Sequence, residues 1–217
     1  PKARRDEDNI EELKEICEIP NDYIGDSVTQ IGITTSFYGS SDIVEKHIIC
    51  LKKTDDIKGA CVEWYKTEKE VLLAFSKYIQ KCDPDIFTGY NIFGFDFKFL
   101  YQRADVLNII SDFSILGRLK NKACPYIKQN LSSSALGNNI LTYFNMYGRI
   151  VIDMMKVVMR DHKLINYKLE TVAKHFLNVG KNKITIKEIF QMIDGTSRER
   201  QKVAKYCIQD CALCNRL

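Results

Sequence analysis

No run of apolar residues in this sequence approaches the roughly 18–20 needed to cross a bilayer. The opening residues, PKARRDEDN, lack the apolar core of a secretory signal, and the expected compartment is intracellular. Proline is scarce, four in 217 residues, and the chain has neither an internal repeat nor a low-complexity tract. Charge of either sign is in little excess. The 32 Lys+Arg against 28 Asp+Glu leave +4, and the pI near 8.6 permits a polyanionic partner while staying below the ~9 of a strongly basic nucleic-acid-binding domain. Histidine is sparse as well: His47, His162 and His175 have no ligand-like spacing to one another and read as ordinary core or surface residues.

What is present suffices for one buried core. Hydrophobic residues make up 45% of the chain, and at roughly 100–200 residues per domain the expectation is a single domain with at most a small satellite. Eight cysteines, Cys17, Cys50, Cys61, Cys82, Cys124, Cys207, Cys211 and Cys214, are scattered without a secretion signal, so reduced thiols are expected.

Along the chain, residues 1–26 are charged and weakly periodic, with a short helix around Glu11–Ile16. Ser27–Phe37 is rich in β-branched residues and Glu45–Leu51 supplies an antiparallel neighbour across a Gly39–Ser40–Ser41 turn. Thr67-Glu68-Lys69-Glu70 has the form of a capping box, and the helix it opens ends before Asp83–Pro84. Trp64 and Tyr65 before it read as packing residues. A long polar passage separates Leu107 from Asn139, and its lysines, Lys120–Lys128, read as a solvated face. Leu141–Met146 and Arg149–Ile152 then read as a hairpin around Tyr147–Gly148, leading to Asp153. Helices follow over Met154–Arg160, Lys168–Leu177, Ile186–Ile193 and from a Ser197 N-cap to the end. Strands and helices in alternation place an α/β fold around a buried sheet.

The stretch with the strongest chemical signal is Asp85–Asp105, DIFTGYNIFGFDFKFLYQRAD, a strand, a tight turn and a helix. Asp96 lies at the mouth of the turn among Phe93, Phe95, Phe97 and Phe99. An ionised carboxylate belongs there only if a metal or a base pairs with it. In the last helix Tyr206 and Asp210 are four residues apart, hence on one face. Carboxylates from separate elements, with a phenol to orient water, suit metal-assisted phosphodiester hydrolysis, with Asp96 and Asp210 as two of the ligands. The same helix carries Cys207, Cys211 and Cys214, which with Val203 form an apolar stripe rather than a cluster site.

Together Asn91-Ile92-Phe93-Gly94-Phe95-Asp96 and Tyr206-Cys207-Ile208-Gln209-Asp210 resemble, in order, the second and third exonuclease motifs, N-x3-F-D and Y-x3-D, of family B DNA polymerases. Ser132–Gly137, Gly148-Arg149 ahead of Asp153, Arg160–Leu164 with Tyr167–Leu169, and Ala204–Leu217 are similar to the delta-like members from eukaryotes and large DNA viruses. The resemblance covers essentially residues 1–217. It implies a ribonuclease H-like fold, a mixed central sheet flanked by helices, acting as the 3′-to-5′ proofreading exonuclease. It further implies two Mg²⁺ or Mn²⁺ ions held in part by Asp96 and Asp210, water oriented by Tyr206, and a path for the single-stranded 3′ end of DNA shaped by Asn91 and Phe95. For Asp153 two roles stay open, the N-cap before Met154 and a further catalytic acid.

The sequence contains no D-x-E, the family's first motif; Asp6–Glu7–Asp8 sits in a polar run, and Pro1-Lys2-Ala3 resembles the segment that follows that motif. The expectation is therefore a piece of a polymerase whose first strand is partly or wholly missing and whose palm is absent, inactive by itself. Its partners would be DNA, the rest of the polymerase chain and a processivity factor, in the nucleus or at a viral replication site. A free-standing exonuclease of the same acid-and-tyrosine type and a non-catalytic nucleic-acid-binding module are the alternatives.

Overall fold

A computed structural model describes residues 26–40, 42–133, 137–179 and 184–217. The short helix expected around Glu11–Ile16 and the polar run Asp6–Glu7–Asp8 lie outside the described residues. The β-branched segments form β1 (Gln30–Ser36) and β2 (Ile43–Leu51), paired antiparallel as expected, and β3 (Cys61–Tyr65) adds to β2 in parallel. Helix α1 (Glu68–Cys82) starts from the Thr67 capping box, in which the Glu70 N–H donates to Thr67 Oγ1 while Glu70 Oε2 accepts from the Thr67 N–H. Asp83 ends it in the left-handed region.

Strand β4 (Ile86–Gly89) leads through a π-helical turn, Ile92–Asp96, into α2 (Phe97–Val106), with a short α3 (Ile110–Phe113) beyond. The expected polar loop from Leu107 to Asn139 is partly structured. It contains β5 (Tyr126–Ser133), which pairs antiparallel with β6 (Gly137–Phe144). The hairpin expected between Leu141–Met146 and Arg149–Ile152 does not form. The second of these segments is β7 (Ile150–Asp153), which pairs in parallel with β4. β6 pairs instead with β5 just before it, and only β7 takes a remote partner, β4. Helices α4 (Met154–Asp161), α5 (Leu169–Leu177), α6 (Ile186–Asp194) and α7 (Ser197–Arg216) complete the chain. The N-cap of α7 is Thr196, not Ser197, because Thr196 and Glu199 close a capping box of their own.

The described strands form three ladders, β1-β2-β3, β4-β7 and β5-β6, in a mixed α/β arrangement. The main core packs Ile49 of β2, Val71, Leu72, Phe75 and Ile79 of α1, and Phe97, Phe113, Phe144 and Met146. Phe97 and Phe113 meet Phe144 edge-on, with centroids 5.6 and 5.8 Å apart. Truncating a fully buried phenylalanine of this set to alanine costs about 3–5 kcal/mol. Behind α1 a bidentate pair is buried: Arg103 donates from Nε to Glu68 Oε1 at 2.8 Å and from Nη2 to Glu68 Oε2 at 2.6 Å. The Val28 N–H also donates to Glu68, at 2.7 Å, tying the entry to β1 onto α1.

Residues of β2 alternate between two covered faces. Ile48 and Cys50 meet Ala204 and Ile208 of α7, while Ile49 belongs to the α1 side. Along β1, Gly32 lets α7 approach, since a Cβ there would stand 2.7 Å from Cys207 Sγ. Cys211 Sγ donates to the Gly32 carbonyl at 3.2 Å and Asn215 Nδ2 to the Thr34 carbonyl at 3.0 Å. The cysteine stripe is thus a packing surface, as expected. Tyr65 packs on the main core, whereas Trp64, expected to pack, is exposed. Among the described residues no helix is long and apolar enough to cross a membrane.

Candidate active site

Parallel pairing of β4 with β7 puts Gly89 opposite Asp153, so the two strands end side by side. After β4 the chain reverses through Asn91, which is held at φ 61° in the left-handed region that asparagine tolerates. The N–H groups of Gly94 and Phe95 return to the Asn91 carbonyl at 3.1 and 3.0 Å. Gly94 accommodates the Asn91 side chain, whose Oδ1 would collide with a Cβ there unless that side chain moved. The π-helical turn closes with the Phe97 N–H donating to the Ile92 carbonyl, a geometry frequent at functional sites.

Asp153 fastens this turn. Its Oδ1 accepts from the Asn91 N–H at 2.9 Å and the Met155 N–H at 3.0 Å, and its Oδ2 accepts from the Phe93 N–H at 3.0 Å. One buried carboxylate therefore caps α4 and fixes the entry to the Asp96 turn. Burial pushes its pKa up, against the opposing pull of the three N–H donors. The N-cap role left open by the sequence is the observed one. Its second role depends on the β4-β7 register, which no local spacing reveals. From β6, Thr142 Oγ1 donates to the Phe93 carbonyl at 2.9 Å, a further brace.

Asp96 is the last residue of the turn. Solvent reaches it, yet protein atoms crowd its carboxyl closely enough that desolvation pushes the pKa up to about 6, with a smaller push from the Asp153 charge. Phe95 beside it is exposed and stacks on Phe99, with centroids 5.8 Å apart and planes 15° from parallel. On α7, Tyr206 and Asp210 are half-buried. The Cys207 thiol between them feels the carboxylates of both Asp210 and Asp96, and the Cys214 thiol, pushed up to about 12 by burial, feels Asp153 and Asp96. The turn and α7 thus share one neighbourhood. Tyr90 anchors its far side, its hydroxyl donating to the Tyr167 carbonyl at 2.7 Å.

An acid-bearing strand-turn-helix facing an acid-bearing helix defines a class that comparison makes definite: the chain belongs to DNA polymerase family B, matching the family described as "DNA polymerase family B, exonuclease domain" over residues 9–172. That span includes Asn91, Phe95, Asp96 and Asp153 and stops before Tyr206. Among individual proteins, the chain is similar to a DNA polymerase of Pyramimonas orientalis virus, 37% identical over 252 positions that cover 89% of this chain and 21% of the relative. It is also similar to the DNA polymerase delta catalytic subunits of Dictyostelium discoideum, 37% identical over 88% of this chain and 17% of the relative, and Schizosaccharomyces pombe, 33% identical over 88% and 18%. The chain spans about a fifth of the length of these relatives.

Proposed function

We propose that residues 1–217 are most of the proofreading 3′-to-5′ exonuclease domain of a replicative, DNA-directed DNA polymerase of family B. The fold is ribonuclease H-like, with the opening strand, its D-x-E acids and the polymerase palm supplied by other parts of the parent. The observation that carries this reading is the packing of α7, which bears Asp210, on β4, which leads into the Asp96 turn, with the charges of both acids acting on Cys207. The separation of the β1-β2-β3 and β4-β7 ladders, with α7 packed on both β1 and β4, supports it. An opening strand of such a fold would pair between β1 and β4.

Asp96 and Asp210 are hard oxygen donors of the kind that hold Mg²⁺ or Mn²⁺. The raised pKa of Asp96 marks a site short of positive charge, which a divalent ion would meet. When bound, two such ions stabilise the attacking and leaving oxygens of a phosphodiester. The chain's own residues do the rest. Tyr206 orients the attacking water, Asn91 shapes the turn, and the exposed ring of Phe95 offers a face on which the unpaired 3′-terminal base stacks. Asp153 contributes by holding the turn, not by binding the ion. The substrate is the single-stranded 3′ end of a primer-template, inside the cell, in the nucleus or at a viral replication site, with the remaining polymerase chain and a processivity factor as partners.

The test is digestion of a 5′-labelled single-stranded oligonucleotide with Mg²⁺ or Mn²⁺. The chain alone is expected to leave it intact, and the chain extended upstream by the D-x-E strand to shorten it from the 3′ end. Robust digestion by the chain alone, abolished by Asp210→Ala, would show that the upstream acids are dispensable. An inert extended chain would refute the function.

A further inference from the structure

At the β2-β3 edge, away from the turn, three potential ligands meet. In the parallel register His47 lies directly opposite Cys61, and Glu63, two residues further along β3, projects from the same face. One ligand atom from each, an imidazole nitrogen, the thiol sulfur and a carboxylate oxygen, fall within 4.8 Å of one another. His47 is 3% exposed, and neither of its ring nitrogens has a hydrogen-bond partner among the described residues. A buried imidazole with both nitrogens unsatisfied is costly unless something absent from the polypeptide completes it.

We infer that His47 Nε2, Cys61 Sγ and one oxygen of Glu63 form a Zn²⁺ site that fastens the edge strand β3 to β2. The inference is independent of the nuclease reading. Nε2 stands 3.6 Å from Glu63 Oε1, within the separation of about 3.3–3.8 Å that ligands take around a tetrahedral zinc. Cys61 is exposed on its strand, and its Sγ lies within 4.8 Å of the other two ligand atoms. Two of the ligands, Glu63 and His47, also have an outer partner that would orient them. The Tyr65 hydroxyl donates to Glu63 Oε2 at 3.0 Å, leaving Oε1 toward His47. The Glu45 carboxylate lies 3.7 Å from His47 Nδ1, a charge that favours a proton on Nδ1 and so leaves Nε2 as the lone-pair donor. Tyr78 of α1 packs against the imidazole, with centroids 4.3 Å apart and ring planes tilted by 34°. Burial lowers the His47 pKa, despite the raising effect of Glu63 and Glu45, and favours the neutral, ligating form.

The donor set selects the ion. A thiolate, an imidazole and one carboxylate suit Zn²⁺, whereas Mg²⁺ takes oxygen ligands. Three protein ligands leave a fourth position for water. Binding replaces the Cys61 S–H bond by an S–metal bond and releases that proton to solvent, so affinity rises with pH.

Titration of the full chain with Co²⁺, which reports thiolate ligation through its near-ultraviolet charge-transfer band, tests the site. One equivalent is expected to develop the band and tetrahedral visible absorption, and Zn²⁺ to bleach both. Cys61→Ser, on an exposed residue, should abolish the charge-transfer band with the far-ultraviolet circular dichroism unchanged, while Cys211→Ser should retain it. Glu63→Gln should keep the band and weaken Co²⁺ binding at least about tenfold. Absence of the band at excess Co²⁺, or its survival in Cys61→Ser, overturns the site. Unaltered affinity in Glu63→Gln overturns the three-ligand set.

Discussion

Asp153, where β7 meets α4, and His47, in the middle of β2, are 2% and 3% exposed. Around Asp153 the fold gathers three backbone N–H donors within 3.0 Å. Around His47 it gathers two carboxylates and a thiol, none within hydrogen-bond reach of the ring. The first environment is complete within the polypeptide and serves geometry, because it fixes the direction in which Asp96 leaves the β4 turn. The second leaves both ring nitrogens without a hydrogen bond among the described residues, which the proposed cation would meet. Burial of a titratable group is therefore not itself a functional signal; what surrounds the buried group separates a structural acid from a ligand.

Substitution at the two positions should break this symmetry. Asp153→Asn keeps one acceptor oxygen and leaves an N–H of the turn or of α4 short of a partner, an expected loss of about 1–3 kcal/mol in urea unfolding. His47→Leu removes a polar ring that nothing in the metal-free chain satisfies, so the same measurement in EDTA should find it neutral or stabilising. With Zn²⁺ present the order should reverse, because only the parent chain gains from binding. A large loss for His47→Leu in EDTA would mean that the imidazole is satisfied without a metal.

A smaller effect separates the two hydroxyls at the start of α7. Thr196→Ala should cost about 0.5–2 kcal/mol and Ser197→Ala close to nothing, since Thr196 closes the box with Glu199. Equal losses would reassign the cap. The gentlest probe is the pH dependence of stability in EDTA. The folded Asp96 carboxyl holds its proton up to about 6, against 3.8 for the ordinary group. The folded chain then binds more protons than the unfolded one across that interval. This contribution is fully present below 3.8 and is lost as pH rises through about 6. Asp96→Asn should flatten that slope, and an unchanged slope would show that the carboxyl is well solvated.

Features written in local spacing were legible in the sequence. The Thr67–Glu70 box, the β1-β2 pair, the strand-turn-helix around Asp96 and the Tyr206–Asp210 face all follow from residues within a turn or a strand of one another. Features set by register between distant segments were not. Ile150–Asp153 pairs with Ile86–Gly89 rather than with the strand just before it, and so Asp153 reaches the Asn91 turn unseen. His47 lies fourteen positions from Cys61 and becomes its neighbour only when β2 and β3 align in parallel. The Thr196 box was available locally, in Thr196-x-x-Glu199, and Ser197 masked it.

The measurement that bears most directly on the account is 3′-to-5′ digestion of a single-stranded oligonucleotide by the chain extended through its D-x-E strand, compared with the same protein carrying Asp96→Asn. The account predicts progressive shortening by the parent and none above background by the variant, with both retaining the same circular dichroism. Equal digestion by the two would remove Asp96 from the site and contradict the assignment of the turn that presents it.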